Sequence, residues 1–200
     1  MSLSAEGSFF EAPPCSAEQA EFSPEERALL LKLAHESIGS ALDHREISLT
    51  PPSPHFAEPR GVFTTLYYLG ELRGCVGFVL AVTSLYRAIA ETAQAAAFED
   101  SRFPPLTRQE FPEIEISLSV LSPLRPIHPE ELEVGRHGLL ISFGGRRGLL
   151  LPQVPVEHGW DRFTFLQQTC HKAGLPANAW QCGASIEAFT AEVFGDKDKK

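Results

Sequence analysis

The segment Arg73-Gly74-Cys75-Val76-Gly77 combines a thiol, a guanidinium and two glycines. A thiolate is a strong nucleophile, and a nearby cation or backbone N–H groups lower the pKa of a thiol. Arg73 lies two residues before Cys75, so in a regular strand the two side chains would share a face. Glycine in a strand indicates a bulge or a close approach by another segment. Cys75 is therefore a candidate nucleophile; a small buried cysteine under a tightly packed helix fits the same pattern.

A cysteine nucleophile usually needs a base within hydrogen-bond reach. His137, between Arg136 and Gly138 at the start of a predicted strand, is the best candidate among the seven histidines. The alternative is that His137 caps the strand or hydrogen-bonds a loop. The two catalytic candidates are thus Cys75 and His137.

Four further polar residues are candidate substrate contacts, together with Arg73. Asp100 and Arg102 lie on a proline-rich loop, and an arginine fork suits a carboxylate or phosphate. Equally, the two could form a structural ion pair. Thr65 would sit beside Cys75 on the neighbouring strand, and Gln153 ends an apolar run, although both types are also common in purely structural roles. Cys170 lies on an apolar helix stripe, which favours core packing.

The elements that must position these residues can be predicted from local patterns. Val62–Leu69 and Leu72–Leu80 read as a β-hairpin with Gly70-Glu71 as its loop. Capping residues and apolar periodicity predict a helix from Ser23 to about Asp43, and an alanine-rich helix follows Thr83 or Ser84 through Phe98. The alternation of Glu113–Ser122 predicts a half-buried strand.

The C-terminal half repeats the same kinds of element. A second hairpin turns at Gly144–Arg147, a helix over Arg162–Ala173 is stopped by Gly174, and Ile186–Phe194 reads as one last strand. Hairpins interrupted by separate helices predict an α+β fold, with an antiparallel sheet packed against helices. We expect a partly ordered arm over residues 1–22, a single domain over 23–195 and a solvated tail over 196–200.

Composition excludes several classes of function. A formal net charge of −9 argues against nucleic acid or an anionic membrane as an electrostatic partner. The four cysteines show no metal-ligand spacing, and no signal segment or membrane span is evident, so the sequence predicts a reduced, cytoplasmic protein. A small basic patch at Arg146 and Arg147 remains possible within this acidic chain.

Several long motifs carry a family resemblance. They are RGVFTTL from Arg60, LRGCVG from Leu72, DSRFPPL from Asp100, GRHGLLI from Gly135, GLLLPQV from Gly148 and TCHKAGLP from Thr169. With these motifs in this order, the chain resembles the AMMECR domain family, which includes protein A of the AmmeMemoRadiSam systems. The resemblance implies an α+β fold with a larger and a smaller lobe. It implies no established reaction and leaves any cofactor unknown, but it suggests a Memo-like protein and a radical S-adenosylmethionine protein as partners.

Two classes of function stay open. In one, Cys75 is the nucleophile toward a small anionic or carbonyl substrate, with Arg73 and Arg102 orienting that substrate and His137 as acid or base. In the other, the same cleft is the docking pocket of a non-catalytic accessory module. Convergence of the four side chains in one cleft would favour the enzyme.

Overall fold

The structure is a computed structural model, and it describes residues 20–199. Most of the predicted N-terminal arm, including Cys15, lies outside these described residues. At the end of that arm, Phe22 is buried in the core and stacks on His55 with ring centroids 4.7 Å apart. Phe22, close to the start of the described residues, therefore contributes to the fold.

The described chain contains five helices and eight strands. The helices are α1 (Pro24–Leu42), α2 (Pro54–Ala57), α3 (Leu85–Phe98), α4 (Gln153–Glu157) and α5 (Arg162–Lys172). The strands are β1 (Val62–Tyr68), β2 (Glu71–Phe78), β3 (Ile114–Leu121), β4 (Arg125–Pro126), β5 (Gly138–Phe143), β6 (Arg146–Leu150), β7 (Ser185–Phe189) and β8 (Ala191–Gly195). They form a first sheet of order β2-β1-β3-β8 and a second sheet of order β4-β7-β5-β6, and the strand pairs in both are antiparallel. The predicted α+β class is confirmed.

The first sheet carries α1 and α3 on one face. Val62 and Leu66 of β1 turn into that core, as do the alternating Ile116 and Leu118 of β3. Between them, the Thr64 hydroxyl meets the Thr92 hydroxyl of α3 at 2.8 Å, which satisfies both buried groups. Thr65, Cys75 and the other residues of opposite parity therefore lie on the face of this sheet that is turned away from α1 and α3, which we call the outer face.

Local cap signals position the helices as the sequence predicts. Ser23 and Glu26 form a complete capping box at the start of α1. The Ser84 hydroxyl accepts the Arg87 N–H at the start of α3, and the Asp161 carboxylate accepts the Thr164 N–H at the start of α5. The short helices α2 and α4 were not predicted, since each is little more than one turn in a proline-containing segment.

The turn of the first hairpin lies one residue earlier than predicted. Its two loop residues are Leu69 and Gly70, with φ of 52° and 86°, and not Gly70-Glu71. Two successive positive φ angles give the primed turn whose twist matches the flanking strands. Leu69 adopts this conformation although glycine or asparagine is usual there.

Leu69→Gly is expected to stabilise the protein by about 0.5–1 kcal/mol, because a left-handed conformation costs a side-chain-bearing residue about 1–2 kcal/mol and glycine's greater unfolded-state freedom offsets part of the gain. The Leu69 residue is 73% exposed, so little packing is lost. Urea unfolding measures the change. Leu69→Ala is the control: it removes the same exposed side chain but keeps Cβ, so an equal gain there would show that the backbone conformation is not the cause.

The last predicted strand is in fact two strands in different sheets. Residues 185–189 form β7 in the second sheet, and residues 191–195 form β8 in the first, with Thr190 between them. The Thr190 N–H donates to the Ser122 hydroxyl at 2.9 Å, and the Ser122 N–H donates to the Thr190 carbonyl at 2.9 Å. This exchange of hydrogen bonds links the two lobes of the protein, the first lobe built on the first sheet and the second lobe on the second sheet.

Within the predicted C-terminal tail, residues 196–199 form a 3-10 turn against the first lobe. The Asp196 carboxylate accepts the Ile116 N–H at 2.8 Å and meets His35 at 2.8 Å. Lys197 is exposed and pairs with Glu115 at 2.8 Å. These contacts were not predicted, because their partners are far away in sequence.

The second lobe is built around α5 on the second sheet. Its core contains Leu139 and Ile141 of β5 and Phe165, Leu166 and Cys170 of α5. Within residues 20–199, no helix is both long and apolar enough to cross a membrane.

Candidate functional site

Cys75 lies on the outer face of the first sheet, half-buried, directly opposite Thr65. The Thr65 hydroxyl donates to the Cys75 sulfur at 3.3 Å. This contact follows from the hairpin register, because residues paired across two antiparallel strands share a face. The pairing holds the thiol in one orientation and places a proton donor against it.

The loop after α3 closes on the backbone of Cys75. The Asp100 carboxylate accepts the Cys75 N–H at 2.8 Å, and the Arg102 guanidinium donates to the Cys75 carbonyl at 3.4 Å. Since β2 is the edge strand of its sheet, these bonds satisfy backbone groups that have no neighbouring strand. The loop therefore hydrogen-bonds to the edge of the sheet at the Cys75 backbone.

Asp100 and Arg102 form a forked ion pair within this loop. Arg102 Nε lies 3.0 Å from Asp100 Oδ1, and its Nη2 lies 2.7 Å from Oδ2. The Arg102 side chain, followed by the Cys75 N–H, holds the pKa of Asp100 well below its usual range. The Asp100 side chain is 7% exposed and that of Arg102 is 55% exposed, so the cation is the accessible member of the pair.

Arg73 does not share the Cys75 face, contrary to the expectation for a regular strand. The register shifts at this point: Leu66 pairs with Gly74 while Tyr67 pairs with Leu72, which leaves Arg73 as the extra residue of a bulge. Its guanidinium donates to Glu110 at 2.9 Å and to the Pro105 carbonyl at 3.3 Å. Arg73 thus anchors the far end of the loop that begins with Asp100.

Glu110 is a residue of this region that sequence reasoning missed as an ionic partner. The ion pair with Arg73, followed by hydrogen bonds from Thr107, lowers the pKa of Glu110 to about 2. In the sequence, Thr107-Arg108-Gln109-Glu110 has the spacing of a capping box. The structure shows that box, with the Thr107 N–H donating to the Glu110 carboxylate at 2.8 Å, and adds Arg73 to it.

His137 and Gln153 lie in the second lobe. The His137 ring is buried; its Nδ1 accepts the Glu133 N–H at 3.1 Å and its Nε2 lies 3.4 Å from Arg125. Burial lowers the pKa of His137, which favours the neutral ring. Both ring nitrogens are engaged within this lobe, so the structure does not join His137 to Cys75. Gln153 is exposed at the start of α4 and makes no hydrogen bond to Cys75.

The remaining described cysteines differ sharply in setting. Cys170 is fully buried on α5, where burial raises the pKa of its thiol, while Cys182 is exposed.

In the described range, no three His, Cys, Asp or Glu side chains are grouped so that they could hold a metal ion. Thr65 contacts the Cys75 thiol, and Asp100 and Arg102 contact the backbone of the same residue. We call these three residues, together with Cys75, the Cys75 site.

These features define an α+β protein with a half-buried thiol on the outer face of an antiparallel sheet, and comparison with known proteins gives its family. The AMMECR1 family model matches residues 31–194. Protein MK0488 from Methanopyrus kandleri is 43% identical over 187 residues, which cover 87% of this chain and 90% of that protein. A protein from Aquifex aeolicus is 38% identical, over 84% of this chain and 92% of its own length.

A solved structure agrees with this assignment. The crystal structure of the uncharacterized protein PH0010 from Pyrococcus horikoshii matches with a TM-score of 0.70 and 39% identity, covering 84% of this chain and 89% of that one. The chain belongs to the AMMECR1 family, and the resemblance seen in its motifs is confirmed.

Proposed function

We propose that this protein binds a small anionic or carbonyl ligand at the Cys75 site and that the Cys75 thiol reacts with it. The observation that carries the proposal is the contact of the Cys75 thiol with a hydroxyl donor, next to an exposed guanidinium that binds the Cys75 carbonyl. Thr65 contacts the sulfur, while Asp100 and Arg102 hold the peptide groups on either side of it. Such an arrangement is what a nucleophilic site requires.

Arg102 supplies the ligand's anchor in this proposal. Its Nε and Nη2 are used by Asp100 and the Cys75 carbonyl. Among residues 20–199, nothing accepts a hydrogen bond from Nη1, so two N–H donors of this guanidinium remain for an anion. The ion pair fixes the plane of the fork, which reduces the entropy lost when a carboxylate or phosphate binds.

The chemistry requires no further reactant. In the addition to a ligand carbonyl, the Cys75 sulfur bonds to the carbonyl carbon, the π electron pair moves to oxygen, and the thiol proton ends on that oxygen. Thr65 lies at the sulfur, where its hydroxyl can pass this proton on. His137 takes no part, because its ring is engaged within the second lobe.

Alkylation of Cys75 by a charged and by a neutral reagent tests the anion site. We expect the ratio of iodoacetate to iodoacetamide rates at Cys75 to exceed that at the exposed Cys182. Arg102→Ala should lower the ratio about fivefold, the effect of one unit charge about 4 Å away in water. Peptide-resolved mass spectrometry measures each thiol separately, and the buried Cys170 reports any unfolding.

The control separates the loss of the Arg102 cation from the exposure of the Asp100 carboxylate. In an Asp100→Asn background, Arg102→Ala removes only the positive charge, and the ratio should still fall. An unchanged ratio in both backgrounds would contradict an anion site at Arg102. A Cys75 that resists both reagents until the protein unfolds would remove the thiol from the proposal.

An accessory role is the second candidate, with a Memo-like protein and a radical S-adenosylmethionine protein as the partners suggested by family resemblance. Exposed apolar residues around the first hairpin favour it, namely Leu69, Leu72 and Val82. Cys75→Ala distinguishes the two candidates in a reconstituted mixture of the three proteins. If the Cys75→Ala variant still binds its partners and the mixture keeps the activity that it has with the wild type, the accessory role is supported and Cys75 is not a nucleophile.

A further inference from the structure

A cavity of about 380 Å³ lies between the two lobes, and none of its lining residues contacts the Cys75 sulfur. Its volume falls in the range of about 300–1,000 Å³ that is common for small-molecule sites. Its apolar lining is contributed by both lobes, namely Phe63 and Val79 from the first and Leu149, Leu150, Leu151 and Val154 from the second. These walls suit an apolar chain or ring.

Two cations complete the lining. Arg147 and Lys172 both border the cavity. Within the described part of the chain, neither side chain has a hydrogen bond or an ion pair. Most of the described cations in this protein, which has 26 acidic and 17 basic residues, have a carboxylate partner, and Arg147 and Lys172 are among those that do not. Two unpaired positive charges beside apolar walls are complementary to an amphipathic anion.

Gly148 lies where β6 meets the end of α5, the two segments that carry Arg147 and Lys172. A Cβ on Gly148 would lie 2.3 Å from the Ala173 nitrogen and 2.7 Å from the Lys172 carbonyl carbon. Glycine therefore lets the backbones of β6 and α5 touch, and both cationic side chains extend from this region to the cavity lining.

Arg146 provides a contrast at the next position. Its guanidinium donates to the Gly174 carbonyl at 2.7 Å and does not line the cavity. The adjacent arginines thus differ in role: Arg146 has a structural acceptor, and Arg147 has none.

We infer that this cavity binds a small amphipathic anion, an apolar chain or ring that carries a carboxylate or phosphate group. The apolar part lies against Phe63, Val79 and the β6 leucines, and the anionic group lies between Arg147 and Lys172. The inference does not depend on the chemistry of Cys75, although Phe63 occupies the outer face two residues from Thr65.

Octanoate is a suitable probe, with 1-octanol as the neutral compound of equal chain length. We expect octanoate to shift the backbone amide resonances of Val79, Gly148 and Leu149 in an NMR titration, and to bind more tightly than octanol. Arg147→Ala and Lys172→Ala should each weaken octanoate binding about fivefold, and the double variant about 25-fold, with octanol binding unchanged. Inorganic phosphate, titrated separately, reports binding by charge alone.

A matched control makes the test decisive. Arg146→Ala removes an adjacent exposed cation and is expected to leave octanoate affinity unchanged. Equal affinity for octanoate and octanol, loss of affinity in Arg146→Ala equal to that in Arg147→Ala, binding of phosphate as tight as that of octanoate, or the absence of localised shifts would each overturn the inference.

Discussion

Gly74→Ala is expected to lower the free energy of unfolding by about 3 kcal/mol, at the upper end of the usual cost of overpacking. A Cβ at this position would lie 2.1 Å from the Ala96 carbonyl oxygen of α3. The obstacle is backbone inside a regular helix, so it cannot rotate away as a side chain can. Either β2 or α3 must move, and both are packed in the first core. Urea unfolding monitored by circular dichroism measures the loss.

Gly39→Ala is the matched control for this prediction. It is the same chemical change, but its new Cβ would meet only the edge of the Phe111 ring, at 3.1 Å. That ring can shift, and alanine is the better helix former by about 1 kcal/mol, so stability should change little or rise. A Gly74→Ala protein as stable as Gly39→Ala would show that β2 and α3 are free to separate.

The same substitution also tests how the Cys75 site is supported. Moving β2 away from α3 would displace the Cys75 N–H from Asp100, which now accepts it at 2.8 Å. The rate of Cys75 alkylation should therefore change in any Gly74→Ala protein that remains folded, while that of the distant Cys182 should not. The glycine before the cysteine is thus explained by packing, and it positions the thiol as a consequence.

Local chemistry made much of the fold predictable. Caps such as Ser23 and Asp161 act within one helical turn, so the ends of α1 and α5 could be predicted closely. The division of the last extended run at Thr190 could not be predicted, because both halves are extended and the choice of sheet is made by distant partners. For the same reason, the contacts of the C-terminal residues with Ile116 and His35 were missed.

The Cys75 site was predictable to the extent that it follows from the hairpin. Thr65 lies opposite Cys75 because cross-strand register is set by a nearby turn. The prediction for Arg73 assumed that side chains alternate strictly along β2, and one bulged residue breaks that alternation. The glycines in the strand were a recognisable sign of such a bulge. The partners of Asp100, Glu110 and His137 are set by how loops close, and residue type alone does not encode that.

Glu110→Gln is expected to remove an acid-sensitive part of the stability. The folded pKa of Glu110 is lowered to about 2 by Arg73 and Thr107, whereas an unfolded glutamate titrates near 4.5. A carboxylate with a depressed folded pKa stabilises the protein above its unfolded pKa, and this stabilisation is lost as the pH falls toward the folded pKa. At about 1.4 kcal/mol per pKa unit, the ionised Glu110 contributes about 3 kcal/mol to the free energy of unfolding at neutral pH.

The expected result is a pair of stability curves that converge in acid. At pH 7, Glu110→Gln should be less stable than the wild type by about 3 kcal/mol, because the largely buried Arg73 loses its carboxylate partner. Between pH 5 and pH 2 the free energy of unfolding of the wild type should fall by most of that amount, while that of the variant should change less with pH. Urea unfolding at half-unit pH intervals measures both curves, and the remaining slope of the variant includes the contribution of Asp100, whose pKa is also depressed.

Glu113→Gln gives the comparison that isolates the ion pair. Glu113 is an exposed carboxylate three residues further along the same segment, and no ion pair with it occurs in residues 20–199. Its replacement should leave the free energy of unfolding at pH 7 nearly unchanged. Parallel curves for the wild type and Glu110→Gln would mean that the Arg73 pair contributes nothing to folding. In that case the loop from Asp100 to Glu110 would be held at Cys75 by Asp100 and Arg102 alone.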